Sequence, residues 1–468
     1  GKLGIRHLQV FLHFLGMVIG YSLRVSMSVA IVPMTQNDSN SYQFEVYNWS
    51  STESATILSS FFWGYTIMQI PSGYIAAFWS AQKLLSFGLL LCGILNILTP
   101  TLAHYGGYLA VCACRVGMGL SQSCLLPSIH TLLSKWAPPT ERARLGTLAY
   151  AGAQFGTVIC FPISGLLASS SAGWPSIFYV FGALAVIWGV VFFVFGSDSP
   201  SKHSRISEKE RRYIENSLKN YDLSLKAMKT PWKAIFTSVP MWALIIVHCG
   251  QNWGYWTLIT ELPTYMNDVL EYNLVDNGLM SALPYFTAWL FSFPISFISD
   301  LLIKRNILTV QASRKICNTF GEWVPAIALI GLGYVDKEHS EIAVAILVIA
   351  VTSNVAIYCG HNVNHMDLSP NFAGPLMGII NTVANICSIL APLIVGVIVH
   401  DKTDVEEWRN VFFLTSLIYF VGNLIFIMFG TSKIQAWNDP VKKDKDIAMN
   451  STNESSVENG NVQKTKEY

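Results

Sequence analysis

Trp174-Pro-Ser-Ile-Phe-Tyr-Val-Phe-Gly-Ala-Leu-Ala-Val-Ile-Trp-Gly-Val-Val-Phe-Phe-Val-Phe-Gly-Ser197 contains no Asp, Glu, Lys, Arg or His. A bilayer-spanning helix needs about 20 mainly apolar residues, and this stretch supplies them without interruption. Directly after it, from Ser197 to Lys233, the chain turns polar and carries nine Lys and Arg side chains. An apolar run that ends in a basic segment reads as a helix leaving the membrane on its cytoplasmic side. Working outward, the same alternation gives twelve spans: 8–34, 55–78, 83–104, 107–133, 145–169, 174–197, 237–262, 275–300, 315–334, 341–364, 372–399 and 408–430. The segments 315–334 and 372–399 are the most interrupted, by Pro and polar residues. No segment alternates with period two, which argues against a β-barrel. The first span lacks a small-residue cleavage site and is followed by eleven more, so it reads as a helix rather than a signal peptide.

Composition agrees. Of 468 residues, 52% are hydrophobic and 13% charged, about half the charged fraction of a soluble chain. Length alone would fit about three soluble domains, but the apolar runs exclude them. Thirty Lys and Arg against 29 Asp and Glu leave a net charge of +1. That balance provides no field for nucleic acid. The expected fold is an all-α, multi-pass membrane protein.

Orientation follows from the basic residues. With the N-terminus inside, twenty-five of the thirty fall on cytoplasmic segments, three (Lys337, Lys402 and Arg409) on outer loops, and two inside spans. Cytoplasmic enrichment of Lys and Arg sets topology, so both termini are cytoplasmic. The expected organisation is a six-helix bundle over 1–197, a cytoplasmic central loop over 198–236, a second six-helix bundle over 237–430, and a disordered cytoplasmic tail over 431–468. This six-plus-six layout suggests the major facilitator architecture, in which two halves rock around a midplane site. Within the loop, Ile206-Ser-Glu-Lys-Glu-Arg-Arg-Tyr-Ile214 reads as a short amphipathic helix at the membrane surface. Sequons at Asn37 and Asn48 fall in the first outer loop and are candidate glycosylation sites; those at Asn450 and Asn453 fall on the tail and stay unmodified. The nine Cys sit in or beside spans, and their spacing predicts neither disulfides nor a metal site. There is no P-loop, hydrolase elbow, HExxH or Rossmann fingerprint, so neither an enzyme nor an ATP-driven pump is expected, and no cofactor.

The informative residues are those that do not belong in lipid. Arg24 lies mid-span in the first helix and Arg115 in the outer half of the fourth. Facing lipid, each would cost about 2.5–3.5 kcal/mol on an insertion scale, so each faces the interior or a cavity. Either could pair with a carboxylate to fix helix packing, yet only Glu322 lies clearly within a span, with Glu261 and Asp367 near span ends. At least one arginine is therefore left for an anion. Arg115, Gly119 and Gln122 share one face of span four, and His130 lies a further turn inward. Gln251, Asn252 and Tyr255 make span seven polar, Asn381, Asn385 and Ser388 form a stripe on span eleven, and span ten ends in the polar run Tyr358-Cys-Gly-His-Asn-Val-Asn-His365. Each could equally serve interhelical hydrogen bonding.

At these residues the sequence resembles the organic-anion and phosphate branch of the major facilitators, which contains sialin, the vesicular glutamate transporters and the sodium/phosphate cotransporters. The resemblance runs from Arg24 to about Gly430 and is most like the invertebrate inorganic phosphate cotransporters. It rests on Arg24-Val-Ser-Met-Ser-Val-Ala-Ile, Phe61-Phe-Trp-Gly-Tyr65 with Gln69-Ile-Pro71, and Lys135-Trp-Ala-Pro-Pro-Thr-Glu-Arg142. Trp174-Pro-Ser-Ile-Phe-Tyr179, Glu261-Leu-Pro-Thr-Tyr265 and Asn364-His-Met-Asp-Leu-Ser-Pro370 continue it. The resemblance implies anion recognition by Arg24 and Arg115. Gln122 stands where sialin and the glutamate transporters carry a glutamate linked to proton coupling, and Gln251 where the glutamate transporters carry an arginine. The loop Ala76-Ala-Phe-Trp-Ser-Ala-Gln-Lys83 lacks the family's usual basic residue.

The expectation is a monomeric secondary transporter of a small anion, phosphate or organic, driven by sodium or by membrane potential through alternating access. The competing reading is proton-coupled export of acidic sugars or amino acids from an organelle. Substrate-binding candidates are Arg24, Tyr65, Arg115, Gln122, Gln251, Asn252, Tyr255, Tyr358 and Asn381; coupling or gating candidates are His130, Glu322 and Asn385. Outside and lumen are topologically equivalent, so plasma membrane and endomembrane are both compatible with the sequence.

Overall fold

The computed structural model describes residues 4–36, 44–138, 141–225 and 230–438, and among these the regular structure is helical. In the N-terminal half, α1 is Ile5–Thr35, α2 Ser51–Phe78, α3 Ala81–Gln122, α4 Leu125–Trp136, α5 Arg142–Ser169 and α6 Pro175–Phe195. The central loop holds α7 (Glu208–Leu225) and α8 (Trp232–Phe236). The C-terminal half contains α9 Val239–Asp268, α10 Leu274–Lys304, α11 Val310–Leu332, α12 Ser340–Asn354, α13 His361–Leu368, α14 Ala373–Ile398 and α15 Val405–Phe429. These account for twelve crossings among the described residues. Spans three and four form one long α3, which turns at Gly107 (φ 62°, ψ −157°), a left-handed conformation that favours glycine. Span four is completed by α4. Span ten is divided: α12 passes through a 3₁₀ turn, Val355–Cys359, and restarts as α13 after Gly360. The break falls in its polar run. α11 and α14 do form across the two interrupted segments, with Pro325 and Pro392 inside them; proline is tolerated where neighbouring helices take up the freed backbone groups.

Helix starts follow local chemistry. Ser50 accepts from the Glu53 backbone N–H while the Glu53 side chain caps Ser50 in return, and Ser80, Asn273, Thr309 and Asp404 cap α3, α10, α11 and α15. The outward faces carry large apolar side chains such as Ile67, Val194, Phe297 and Ile327, each at least 65% exposed. The interior holds polar ones such as Arg24, Gln122 and Asn318. That inversion of the soluble pattern is the mark of a lipid-facing surface.

The halves meet through α2 against α14 and α5 against α10, where missing side chains allow backbone contact. A Cβ on Gly278 would lie 2.6 Å from the Phe161 carbonyl oxygen, and one on Gly165 would lie 2.6 Å from that of Leu274. Ser51 Oγ donates to the His400 carbonyl (3.2 Å) and Gln36 Nε2 to Asp268 (2.8 Å). These contacts close the outer side. Asn48 is exposed there; Asn37, Asn450 and Asn453 lie outside the described residues.

The central helix is longer than the sequence suggests, and it docks on protein. Ile214 is fully buried, Glu210 pairs with Arg6 (2.9 Å) and accepts from the Ile5 backbone N–H, and Tyr213 donates to Glu141 (3.4 Å). Arg6 also pairs with Glu141 (2.9 Å), and its hydrogen bond holds the Glu141 carboxyl below the usual carboxylate range. At the other end, residues 431–438 are ordered: Gln435 N–H donates to the Leu368 carbonyl and Ser369 Oγ to Asn438. The rest of the tail lies outside the described residues.

Candidate anion site

A cavity of about 200 Å³ lies between the halves, beneath the closed outer layer. From the N-terminal half it is lined by Tyr21, Arg24, Tyr65, Gln69, Leu126 and Gln154. From the C-terminal half it is lined by His248, Gln251, Asn252, Tyr255, Trp256, Ile357, Tyr358, Asn362, Asn381 and Asn385. Leu126, Gln154, His248, Asn362 and Asn381 belong to the cytoplasmic halves of their helices, so the cavity extends toward that side.

Its positive charge is Arg24. Gln122 Oε1 accepts from Arg24 Nε at 3.1 Å and Nη2 at 2.9 Å, while Gln122 Nε2 donates to the Gly20 carbonyl at 2.7 Å. The guanidinium lies 4.5 Å from the Tyr21 ring centroid, 4.6 Å from Tyr65, 5.2 Å from Phe61 and 5.7 Å from Trp256. An aromatic cage of this kind attracts a cation electrostatically without neutralising it. Among the described residues neither Arg24 nor Arg115 makes an ion pair with a carboxylate. One edge of Arg24 is fixed by a neutral amide, and its charge remains available to a bound anion.

Arg115 and Gln122 stand behind this surface and do not line the cavity. Arg115 is 2% exposed and donates to the Leu23 carbonyl at 3.5 Å and the Arg24 carbonyl at 3.3 Å. Its guanidinium is 5.1 Å from the Phe61 ring, which therefore sits between the two arginines. The backbone contact of α2 with α3 makes this possible: a Cβ on Gly119 would lie 1.9 Å from the Phe61 carbonyl oxygen, and one on Gly64 2.1 Å from that of Val116.

Opposite Arg24 the wall is neutral and polar. Gln251 and Asn354 exchange hydrogen bonds (2.6 and 2.9 Å), Asn252 donates to Ser388 (3.3 Å), and the Asn381–Asn385–Ser388 stripe turns toward α9 and the cavity. Asn385 donates to Gln69 and Gln154 donates to Tyr358 (3.0 Å), joining the halves across the cavity. Arg24, Tyr65, Gln251, Asn252, Tyr255, Tyr358, Asn381 and Asn385 are thus brought to one wall or another of the same space. His130 is instead exposed on α4 beside Tyr150, and Glu322 is fully buried within the C-terminal half. Sequence reasoning did not single out Tyr21, Gln154, Trp256 or His248 as site residues. Tyr21 is one turn before Arg24 and could have been found by helical spacing; Trp256 and His248 carry no signal beyond a polar, aromatic span seven.

The sequence profile of the Major Facilitator Superfamily matches residues 11–392. The chain belongs to this superfamily. It is 40% identical to the "Putative inorganic phosphate cotransporter" of Drosophila melanogaster, over 96% of this chain and 89% of that one. It is 36% identical to human sialin, over 92% and 90%. Its fold is shared with a bacterial homologue of the human lysosomal transporter Spinster, at a TM-score of 0.69 and 14% identity, over 93% of this chain and all of the other. The relatives place the chain among the anion-transporter members of the superfamily, as a multi-pass integral membrane protein.

Proposed function

We propose that the protein is a secondary transporter of a small anion, inorganic phosphate or an organic carboxylate, working by alternating access. The observation that carries this is Arg24: a guanidinium in a cavity shared by both halves, held by a neutral amide and free of any carboxylate partner among the described residues. Guanidinium presents parallel N–H donors that match carboxylate and phosphate oxygens. The names of the Drosophila relative and of sialin support the substrate class. The cavity is formed within one chain, which suits a monomer. Membrane potential acts on whatever net charge the loaded carrier bears, about 2.3 kcal/mol per elementary charge across 100 mV. Sodium or the potential is one driving force; the buried His and Glu residues of the C-terminal half favour a proton.

The test is uptake into proteoliposomes of labelled phosphate, N-acetylneuraminate and glutamate, alongside an uncharged sugar, under imposed sodium, proton and potential gradients. Saturable uptake of an anion without uptake of the sugar is expected. Transport of the sugar alone would overturn the proposal.

A further inference from the structure

Behind the cavity's C-terminal wall three titratable side chains are linked. His248 of α9 lines the cavity, and its Nε2 is 3.2 Å from Asn381 Oδ1. Its Nδ1 is 3.2 Å from His361 Nε2, and His361 Nδ1 is 2.7 Å from Asn318 Oδ1. Glu322 is completely buried, neither of its oxygens has a hydrogen-bond partner among the described residues, and it lies 4.0 Å from His361 Nδ1.

The proton count of this chain is set by its ends. A carbonyl oxygen only accepts. Asn318 is fixed with its oxygen toward the ring, because Oδ1 also accepts the His361 backbone N–H (3.1 Å) and Nδ2 donates to Asn423 (2.8 Å). Gly360 permits this approach, since a Cβ there would lie 2.7 Å from Asn318 Oδ1. With Asn381 also presenting an oxygen, both terminal ring nitrogens must carry hydrogen, and the contact between the rings needs one more. Two neutral imidazoles supply two N–H groups, one short of the number required. The pair is then a monocation, with the Glu322 carboxylate as its counter-charge. Removing that proton leaves a buried carboxylate uncompensated, an arrangement that is strongly disfavoured.

Only Asn381 can adjust. If its amide turns, its N–H₂ donates to His248 Nε2 and two protons satisfy the chain. In the protonated state Oδ1 is occupied by His248, leaving the amide N–H groups to the cavity; after proton loss the cavity meets the oxygen. An anion prefers the first state. Among the described residues, Tyr419 of α15 faces Glu322 and His365 of α13 faces His248, while Asp367 is engaged by Arg314 at 2.8 Å.

We propose that His248, His361 and Glu322 form a proton-binding site in the C-terminal half, read out to the cavity by Asn381, so that proton and anion are carried together. The direction of coupling rests on the anion-transport reading above; the proton site itself does not.

Nitrogen NMR of the full-length protein labelled with ¹⁵N-histidine, in lipid nanodiscs at about pH 7.5, tests the site without any substrate. One protonated imidazole pair is expected, lost in both His361→Phe and Glu322→Gln. Only neutral histidines in the wild type, or an imidazolium that survives both substitutions, would overturn it. In proteoliposomes, a pH difference of one unit should drive up to about tenfold accumulation of N-acetylneuraminate. His361→Phe should abolish accumulation yet still exchange label at equal pH. Accumulation unchanged in His361→Phe would overturn the coupling. If no anion moves while the NMR pattern is present, the transport reading fails and the proton site stands.

Discussion

Replacing Gln122 with Glu should place a second proton dependence on the carrier, in its N-terminal half. In the wild type one amide does two jobs: its oxygen accepts from Arg24 at 2.9 and 3.1 Å, and its nitrogen donates to the Gly20 carbonyl at 2.7 Å. An ionised glutamate keeps the first role and fails the second, setting an oxygen against the Gly20 oxygen. It also neutralises Arg24. Two unit charges about 4 Å apart at an effective dielectric near 20 interact by roughly 4 kcal/mol. At about 1.4 kcal/mol per tenfold, anion affinity should therefore fall by about two to three orders of magnitude when the residue is ionised. A protonated glutamate restores both contacts, its O–H donating to Gly20. The ratio of mutant to wild-type KM should therefore fall about tenfold per pH unit until the new carboxyl is protonated. Label exchange at equal pH on both sides, from about pH 5 to pH 8, isolates this ratio from any proton gradient. A ratio near one across that range would refute the claim that Gln122 governs Arg24.

Arg115→Lys should raise KM about tenfold per surface-expressed molecule by displacing Arg24, because a compact ammonium cannot span the Leu23 and Arg24 carbonyls that hold this stretch of α1 in place, and a weakened charge-assisted contact between Arg24 and the anion costs roughly 1.5 kcal/mol. Normal affinity with less folded protein would reduce Arg115 to a packing role. Gly119→Val should lower thermal stability by roughly 1–3 kcal/mol or more, because its Cβ meets the Phe61 backbone. Gly146→Val, with open space around its Cβ, should be neutral in the same unfolding assay. Glu210→Ala should undock α7 at a cost of about 1 kcal/mol or less, read as faster proteolysis of the central loop. The partner contact made by Glu141 has the sign of a depressed carboxylate. Its stabilisation is complete above the ordinary value near 4.3 and is lost only as pH falls through the lowered one. Proteolysis of the wild type should therefore be constant from about pH 5 to pH 8.

The membrane fold was legible because lipid leaves few alternatives: the apolar lengths and the basic asymmetry mark nearly every crossing, and the polar end of span ten is where the helix breaks. Arg24 was legible for the same reason, as a charge that lipid does not tolerate. What the sequence did not separate was Arg24 from Arg115. Both are buried arginines at helix interiors, and only the glycine contacts of α2 with α3, which insert Phe61 between them, put one in the cavity and the other behind it. Glu322 stood out as a lone carboxyl in a span, whereas its neighbours His361 and His248 come from helices far apart in the chain. Their meeting depends on the break at Gly360, where Asn318 closes in. Docking of α7 was hidden similarly, since an amphipathic helix suits a membrane surface and a protein surface equally, and Arg6 decides between them.

The most direct test of the account is equilibrium binding of labelled anion, phosphate or N-acetylneuraminate, to purified wild type and Arg24→Gln at matched thermal stability. Loss of the guanidinium removes charge-assisted hydrogen bonds of roughly 1.5–3 kcal/mol, so Arg24→Gln should bind at least tenfold more weakly, with Arg24→Lys between the two. Undiminished binding by a folded Arg24→Gln protein would contradict the claim that this arginine is the anion's partner.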